Sequence, residues 1–499
     1  MKKRRKSYIN RKKDYIMYGF TAILCMITAT VLLSGGGKNG VNGEAGETES
    51  GTGQGEAGRG MGQAEPGSST VQGEAGSGAG QAEPGGSTVQ GEAGRGMGQA
   101  GPGGGMDRER GNTDTKGDTD VSVGTGIGSD TGVGKGTDTS ASVRSDGGEP
   151  EITLVMVGDI LLHTPVAESG KKEDGSYDFG AVFSEMREEI SSADLALVNQ
   201  EVILGGEELG VSGYPAFNAP YELGDALVEA GFDVVLHATN HALDKGKKGI
   251  VNCLAFWQKE YPDIAVLGIH GSEAEQEEIY VYEQDGIRLA ILNYTYGTNG
   301  IALPQDMPYA VDLLERERVE ADLQRAQEVA DFVVVCPHWG TEYVLEETAE
   351  QEQWAAFFAD NGADLILGTH PHVIEPVEWE GAALVYYSLG NFVNWTSGIG
   401  EGVANRMVGG MARVTIGRND EGEAAVTSYG AEPLVCHVEQ GFGGVTVYPL
   451  DRYTEELAER NEIVNQDSQF SLPYCRKLAE EVFGETQTTR QRKPAEVLP

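Results

Sequence analysis

Side chains that can bind a metal ion or move a proton stand directly after several apolar runs of this sequence. The runs are short and uninterrupted, which is typical of strands that are buried on both faces of a sheet. One polar residue at the end of a strand is ordinary, but solvation alone does not explain five such strand ends in a row. The residues concerned are Asp159, Asn199, Glu201, Asn240, His241, His338, His370 and His372.

The histidines are few, and half of them lie in three compact motifs. The chain has eight histidines, and the motifs are Thr239-Asn240-His241, Pro337-His338-Trp339-Gly340 and Gly368-Thr369-His370-Pro371-His372. In the last motif two imidazoles lie two residues apart around a proline that stiffens the backbone. Neutral imidazoles, carboxylates and an amide oxygen suit Zn, Mn or Fe. A pair of such ions would polarise a phosphoryl oxygen and lower the pKa of a water between them.

Apolar runs alternate with amphipathic stretches from Glu151 onward, which predicts an α/β layered domain with crossover connections. Ligands of such sheets gather at the carboxyl ends of the strands, so the polar residues above are expected to converge. Residues 411–448 are expected to form antiparallel strands. The other expected strands are 152–158, 194–199, 233–238, 264–268, 288–294, 331–337, 364–368 and 383–388, and the expected helices are 179–191, 221–230, 247–260, 312–330 and 349–361.

These motifs resemble those of the capsule synthesis protein CapA family, the poly-γ-glutamate biosynthesis proteins. The resemblance covers about residues 151–393, in the family's order. It implies a four-layer αββα metallophosphoesterase-like (calcineurin-like) sandwich that faces outward from the membrane and acts with a capsule or poly-γ-glutamate synthase. The matching stretches are VGDILLH (157–163), LALVNQE (195–201), FNAP (217–220), GFDVVLHATNHALDKG (231–246), CPHWGTEY (336–343), GADLILGTHPHVIEPVE (362–378) and YYSLGNFV (386–393).

The resemblance also implies roles for individual residues. His241 resembles the histidine that protonates the leaving group. Asp244 belongs to the same motif and is interpreted either as the partner that orients His241 or as a helix N-cap before Lys245. The positions that resemble metal ligands are Asp159, Glu201, Asn240, His338, His370 and His372, with glutamate at the bridging position where the wider superfamily has aspartate.

Other residues of these motifs are given more ordinary interpretations. His163 departs from the superfamily's D-x-H spacing, because three residues separate it from the first aspartate. Tyr343 is expected in the core or in a pocket wall, and Asn391 in a tight turn near the site. Arg406 is a candidate for holding an anionic substrate.

The first 149 residues differ sharply in composition from the rest. Residues 1–14 form a basic arm, expected in the cytoplasm, and residues 15–34 carry no charge. Twenty helical residues span about 30 Å, so we expect a transmembrane signal anchor with the carboxyl-terminal part outside. A cleaved signal peptide is the alternative. Residues 35–149 contain a Gly-rich 18-residue repeat and are expected to be a disordered linker, or alternatively a sticky or glycosylated stalk.

The charge balance argues against nucleic-acid binding. The net charge is −41, from 37 Lys and Arg against 78 Asp and Glu, and eight of the basic residues lie between Lys2 and Lys13. The remainder carries 29 basic against 78 acidic residues, which would repel phosphate backbones.

We expect a CapA-like domain over residues 150–450 and a helical tail over 451–499.

The sequence thus predicts a membrane-anchored extracytoplasmic CapA-like protein of capsule or poly-γ-glutamate biosynthesis or export, with a di-metal hydrolase-type site. The alternatives are a general extracytoplasmic metallophosphoesterase and a non-catalytic scaffold of the polymer synthase complex. The expected partners are the membrane, synthase subunits and an anionic polymer or phosphoester substrate.

Overall fold

The computed structural model of the protein describes residues 150–484. The predicted basic arm, transmembrane anchor and Gly-rich linker therefore lie outside the described residues, as do residues 485–499 of the predicted tail. Within residues 150–484, no helix combines the length and the apolar character needed to cross a membrane.

The described chain forms fourteen strands and nine α-helices. The strands are β1 (Ile152–Ile160), β2 (Leu195–Asn199), β3 (Val234–Leu236), β4 (Ala265–Leu267), β5 (Tyr280–Gln284), β6 (Ile287–Thr295), β7 (Phe332–His338), β8 (Leu365–Leu367), β9 (Val377–Glu380), β10 (Ala383–Tyr386), β11 (Asn391–Val393), β12 (Val408–Arg418), β13 (Ala424–Val438) and β14 (Val445–Pro449). The helices are α1 (Thr164–Gly170), α2 (Arg187–Ser191), α3 (Glu222–Ala230), α4 (Gly246–Glu260), α5 (Glu273–Gln276), α6 (Arg316–Val329), α7 (Ala349–Asp360), α8 (Glu455–Arg460) and α9 (Leu472–Phe483).

The strands form two mixed sheets. The first sheet has the order β14-β13-β12-β1-β2-β3-β4, and β11 pairs in parallel with the end of β1. Its β1 to β4 are parallel, while β12, β13 and β14 run antiparallel. The second sheet has the order β5-β6-β7-β8-β10-β9, with parallel strands from β6 to β10 and an antiparallel strand at each edge. The parallel strands of each sheet direct their carboxyl ends to one edge of that sheet.

Alternation along the strands builds three apolar layers. Leu154 and Met156 of β1 belong to the core shared by the two sheets, together with residues such as Val334 of β7. Val155 and Val157 face the other way, into a core that is closed by α2, α3 and α4. The outer face of the second sheet packs on α6 and α7 in a third core. This arrangement is an α/β sandwich with helices outside both sheets, so the predicted sandwich is confirmed.

The carboxyl-terminal segment contributes to the first outer core rather than standing apart from it. Tyr453, Ile463, Phe470, Cys475 and Leu478 are buried in that core. Helix α9 therefore packs an apolar face on the domain. The cysteines at positions 253, 336, 436 and 475 are all buried and free, as small apolar residues would be.

Most elements follow the sequence prediction, but the helix expected over residues 179–191 is largely replaced by turns. Only α2 is α-helical there. Before it, the N–H of Val182 donates to the Phe179 carbonyl and the N–H of Met186 to the Phe183 carbonyl, each three residues earlier. Successive turns of this kind bury apolar residues at the same spacing as a helix does, so the sequence pattern alone does not distinguish turns from a helix. The prediction also missed β5, β9 and β11, of which the first two are only partly buried edge strands.

Candidate metal centre

The carboxyl ends of strands from both sheets bring the predicted ligands to one place. Asp159 is the second-last residue of β1, and His338 is the last residue of β7. The other ligands follow β2, β3 and β8 within a few residues. All six side chains are buried. The six are Asp159, Glu201, Asn240, His338, His370 and His372.

Five of these residues form two overlapping groups of ligand atoms. One group consists of Glu201, His338 and His370, and the other of Asp159, Glu201 and His372. Within each group the ligand atoms lie within 4.8 Å of one another. Because Glu201 belongs to both groups, the arrangement matches two neighbouring cation positions that share one carboxylate.

Unsatisfied polar atoms inside the cluster fit such cations. Neither carboxylate oxygen of Glu201 accepts a hydrogen bond from any residue of 150–484, although the side chain is fully buried. Among the same residues, His370 Nδ1 is also buried without a partner. Burial raises the pKa of the Glu201 carboxyl well above its usual value, and the charge of Asp159 adds to this, against an opposing effect of His372. A buried carboxylate in this state is costly unless a cation compensates it, so the residues present fit a divalent metal pair.

Asp159 is fixed by two donors from other elements. Asn199 Nδ2 donates to Asp159 Oδ1 at 2.8 Å, and the backbone N–H of His370 donates to Asp159 Oδ2 at 3.1 Å. The backbone here passes very close to the turn before β11, because a Cβ built on Gly158 would lie 1.9 Å from the carbonyl oxygen of Gly390. Only glycine permits this approach, so Gly158 is needed for the position of Asp159.

The His370-Pro371-His372 turn holds both histidines in the left-handed region of backbone space. Their φ values are 99° and 58°, which is unfavourable for residues with a side chain. The Tyr343 N–H donates to the Pro371 carbonyl at 2.7 Å and braces the turn. His370 and His372 thereby point into different groups of the cluster, with their ring centroids 5.6 Å apart.

Amide and hydroxyl groups orient the remaining ligands. Asn240 Oδ1 lies 3.0 Å from His338 Nε2, and His338 Nδ1 lies 3.0 Å from Thr369 Oγ1. Asn240 Nδ2 donates to Asn299 Oδ1 at 3.2 Å, which leaves the Asn240 oxygen facing the cluster. Asn391 Oδ1 lies 3.1 Å from His372 Nδ1. These contacts fix ring and amide orientation in the way that partners of metal ligands usually do.

His241 lies beside the cluster and outside both ligand groups. Its Nδ1 is 2.7 Å from Asp244 Oδ2, and its Nε2 is 3.9 Å from Glu201 Oε1. Asp244 also accepts a hydrogen bond from the Phe217 N–H at 2.7 Å. Helix α4 begins after Lys245, whose own side chain makes no capping bond. Of the two interpretations of Asp244, the geometry favours the partner of His241 over the N-cap.

The pKa values of the clustered histidines separate into two kinds. Burial lowers the pKa of His338 and of His370 well below the usual value, and the neighbouring histidines add to this. Both rings are therefore neutral and can each offer a nitrogen lone pair to a metal ion. Burial also opposes protonation of His372, but the Glu201 charge and the contact with Asp159 raise its pKa to about 9. A proton held between His372 and these carboxylates occupies the place that a cation would take.

Several residues near the cluster differ from their predicted roles or were missed. His163 is in neither ligand group; its ring packs edge-on against Phe217, and burial, followed by the charges of nearby residues, lowers its pKa to about 4. Asn391 was expected only in a turn, yet it contacts His372. Asn299 was not singled out at all, and its positive φ of 52° is the one local signal, visible only in the structure.

Comparison with known proteins finds similarity to capsule synthesis proteins. Residues 153–396 match the family model for bacterial capsule synthesis protein PGA_cap. The PGA biosynthesis protein CapA of Bacillus subtilis (strain 168) is 36% identical over 174 residues, which are 34% of this chain and 45% of that protein. The capsule biosynthesis protein CapA of Bacillus anthracis is 30% identical over 273 residues, 52% of this chain and 64% of that protein. The chain thus spans less than two thirds of either relative.

Solved structures with similar backbones include the calcineurin-like phosphoesterase YfkN from Bacillus subtilis, with 13% identity and a TM-score of 0.34 over 66% of this chain and 100% of that chain. Another is the Haemophilus influenzae NAD nucleotidase NadN, with 15% identity and a TM-score of 0.34 over 58% of each chain. The family match and the two CapA relatives confirm the resemblance found in the motifs: residues 153–396 of this chain are similar to the bacterial capsule synthesis protein PGA_cap family.

Proposed function

We propose that this protein is a membrane-anchored, extracytoplasmic hydrolase of capsule or poly-γ-glutamate biosynthesis that depends on divalent metal ions. The observation that carries the proposal is the fully buried Glu201, which is shared by two ligand groups and has no hydrogen-bond donor in the described part of the chain. The match to the capsule synthesis family model and the two CapA relatives support the biological process. The uncharged stretch of residues 15–34 after a basic arm supports the membrane anchor.

The metal ligands of the proposal are the six clustered residues, Asp159, Glu201, Asn240, His338, His370 and His372. Mn, Zn or Fe ions held there supply Lewis-acid polarisation of the oxygen at the reacting centre and lower the pKa of water. Asn199 and Asn391 keep an aspartate and a histidine of this set in place.

His241 is the proposed general acid. Asp244 at 2.7 Å from Nδ1 stabilises the imidazolium form, so that Nε2–H, on the cluster side of the ring, donates its proton to the leaving group. Phe217 packs edge-on against the His241 ring at 4.7 Å and limits the access of water. Proton transfer by such a residue typically contributes about 10²–10⁴-fold in rate.

The proposed substrate is an anionic capsule polymer or a phosphoester at the outer face of the membrane. In this proposal residues 35–149 act as a Gly-rich linker. A flexible chain of that length has a root-mean-square span of about 60 Å, enough to carry the domain away from the membrane surface. The acidic remainder of the chain would avoid adsorbing a polyanionic product.

The test combines metal analysis with hydrolysis assays on the full chain. Purified protein is analysed for Zn, Mn and Fe, titrated with each ion, and then assayed on phosphoesters and on γ-glutamyl polymers. His241→Gln is compared with His270→Gln, because His270 forms a similar pair with Asp312 at 2.6 Å but belongs to neither ligand group. We expect metal uptake in both variants and loss of hydrolysis only in His241→Gln.

Each outcome separates the proposal from its alternatives. Hydrolysis of simple phosphoesters without action on the polymer would favour a general phosphoesterase. If the protein takes up metal but shows no hydrolysis that is lost in His241→Gln, a scaffold of the synthase complex is favoured. A wild-type protein that takes up none of the three ions would refute the metal site.

A further inference from the structure

We propose that Arg406 is the anion-binding residue of this site, and that the substrate carries a carboxylate or phosphate next to the bond that is hydrolysed. This inference rests on the proposed function and specifies its substrate class. Arg406 lies beyond residue 396, where the family match ends. The argument depends on its position, its charge and the contacts that hold it.

Tyr343 connects Arg406 to the cluster. The Arg406 guanidinium carbon lies 3.5 Å from the centre of the Tyr343 ring, a cation–π contact. The Tyr343 ring also lies near the cluster, with its centroid 5.9 Å from that of His372. One aromatic ring therefore neighbours both the guanidinium and a clustered imidazole, so we place the anion at Arg406 on a part of the substrate next to the group that reacts.

No carboxylate in the described part of the chain neutralises the Arg406 charge. Among residues 150–484, no carboxylate oxygen lies within ion-pair distance of Arg406, whereas Arg413 reaches Glu432 at 2.7 Å and Arg452 reaches Glu189 at 2.7 Å. Its Nη1 donates to the neutral Thr396 hydroxyl at 2.8 Å. Its Nε is buried and donates to nothing among the described residues. A half-buried guanidinium with an unused donor, in so acidic a chain, is costly unless a ligand anion pairs with it.

Asn391 fixes Arg406 relative to the cluster. One Asn391 side chain contacts His372 Nδ1 through Oδ1 at 3.1 Å and donates through Nδ2 to the carbonyl oxygens of His372 and Arg406, each at 2.9 Å. The same amide thus binds the backbone that carries the arginine and the backbone that carries the clustered histidine. The distance between the two functional groups is thereby set by the fold.

The carboxyl-terminal segment completes the support of this position. Asp467 Oδ2 accepts hydrogen bonds from Gly402 N at 2.9 Å and Ala404 N at 3.3 Å, at the start of the short 3₁₀ helix that carries Arg406. The Tyr474 hydroxyl of α9 donates to Asn405 Oδ1. The arginine is therefore held by a built scaffold.

Tyr343 supplies the adaptable face of this subsite. Tyr343 is 45% exposed, and in this proposal its ring turns aside to admit an anion to the guanidinium edge that carries Nε. A guanidinium bound to a carboxylate or phosphate through two parallel donors is both strong and geometrically selective.

The test measures binding, not turnover, on the full chain in metal-free and Mn-loaded forms. Calorimetry is performed with two probes, a γ-linked glutamate oligomer and inorganic phosphate. Arg406→Gln should weaken binding of at least one probe about tenfold or more. Arg406→Lys keeps the charge but loses the two parallel N–H donors of the guanidinium, so its affinity should lie between those of wild type and Arg406→Gln. Arg413→Gln is the matched control, since it removes a partly buried arginine that already has a carboxylate partner. It should leave binding unchanged.

The outcomes distinguish the ligand and the two proposals. If Arg406→Gln weakens binding of the oligomer alone, the group that Arg406 binds is a carboxylate. If it weakens binding of inorganic phosphate alone, that group is a phosphate. Equal affinities in wild type and Arg406→Gln, absence of binding of both probes by the loaded wild type, or loss of metal in Arg406→Gln would overturn the anion subsite. A protein that takes up no metal but binds an anion through Arg406 would refute the proposed hydrolase and leave the subsite standing.

Discussion

Asp244 lies 2.7 Å from Nδ1 of His241, while the opposite nitrogen of the same ring lies 3.9 Å from the shared carboxylate Glu201. The imidazole is therefore placed between an orienting carboxylate and the metal cluster. This relationship distinguishes His241 from His372, whose ring belongs to a ligand group. The two histidines should respond differently to substitution.

Replacing His372 with Ala should remove bound metal, because one ligand group loses its only imidazole. Replacing His241 with Ala should keep the metal and lower the hydrolytic rate by about 10²–10⁴-fold. Metal content is measured by elemental analysis and rate by product release. Retention of full metal content in His372→Ala, or unchanged turnover in His241→Ala, would contradict this assignment.

Asp244→Asn tests the orienting role separately from the acid itself. The neutral amide can still contact Nδ1 but no longer stabilises the imidazolium, so we expect kcat to fall while KM and metal content stay close to wild type. The pH profile of the rate should also change, because the negative charge beside Nδ1 is removed. A stability loss with an unchanged pH profile would instead indicate a purely structural role through the Phe217 N–H.

Asn391→Ala should weaken metal binding without removing any ligand. The variant loses the contact to His372 Nδ1 and the two bonds that join the histidine and arginine backbones. Loss of such an orienting partner typically lowers metal affinity by about 10–100-fold. Competition with a chelator of known affinity measures the change. Asn405→Ala serves as the control, because Asn405 lies on the 3₁₀ helix that carries Arg406 and its side chain bonds to Tyr474. Equal affinities in the two variants would show that Asn391 does not orient the ligand.

The clustered residues were predictable because each follows an apolar run or a compact histidine motif. The strand ends of β1, β2, β3, β7 and β8 are read directly from the sequence, and the alternation that builds the layers makes their convergence a consequence of the fold. Asn299 and Asn391 were not predictable in the same way. Their roles depend on the three-dimensional approach of loops that are distant in the chain, and an asparagine at a turn has the same sequence signature with or without such a contact.

Glu375 should make the stability of the protein depend on pH in a direction opposite to that of carboxylates held in ion pairs, whose pKa values are lowered. Its side chain is fully buried, Oε2 accepts a hydrogen bond from Gln351 Nε2 at 2.6 Å, and Oε1 has no partner among residues 150–484. Burial, more than any other cause, raises the pKa of its carboxyl from 4.5 to about 9. The folded state therefore holds a proton that the unfolded state releases above pH 4.5 or so.

Raising the pH between these two pKa values consequently favours unfolding, by up to about 1.4 kcal/mol per pH unit, while below this window the group has no effect. Glu375→Gln keeps the shape and removes the titration, so it should be more stable than wild type at pH 8 and close to wild type at pH 5. Urea unfolding of metal-free protein at both values measures the difference, with the exposed Glu283→Gln as control. If wild type and Glu375→Gln change in parallel between the two pH values, the Glu375 carboxyl is ionised in the folded protein and the interpretation is wrong.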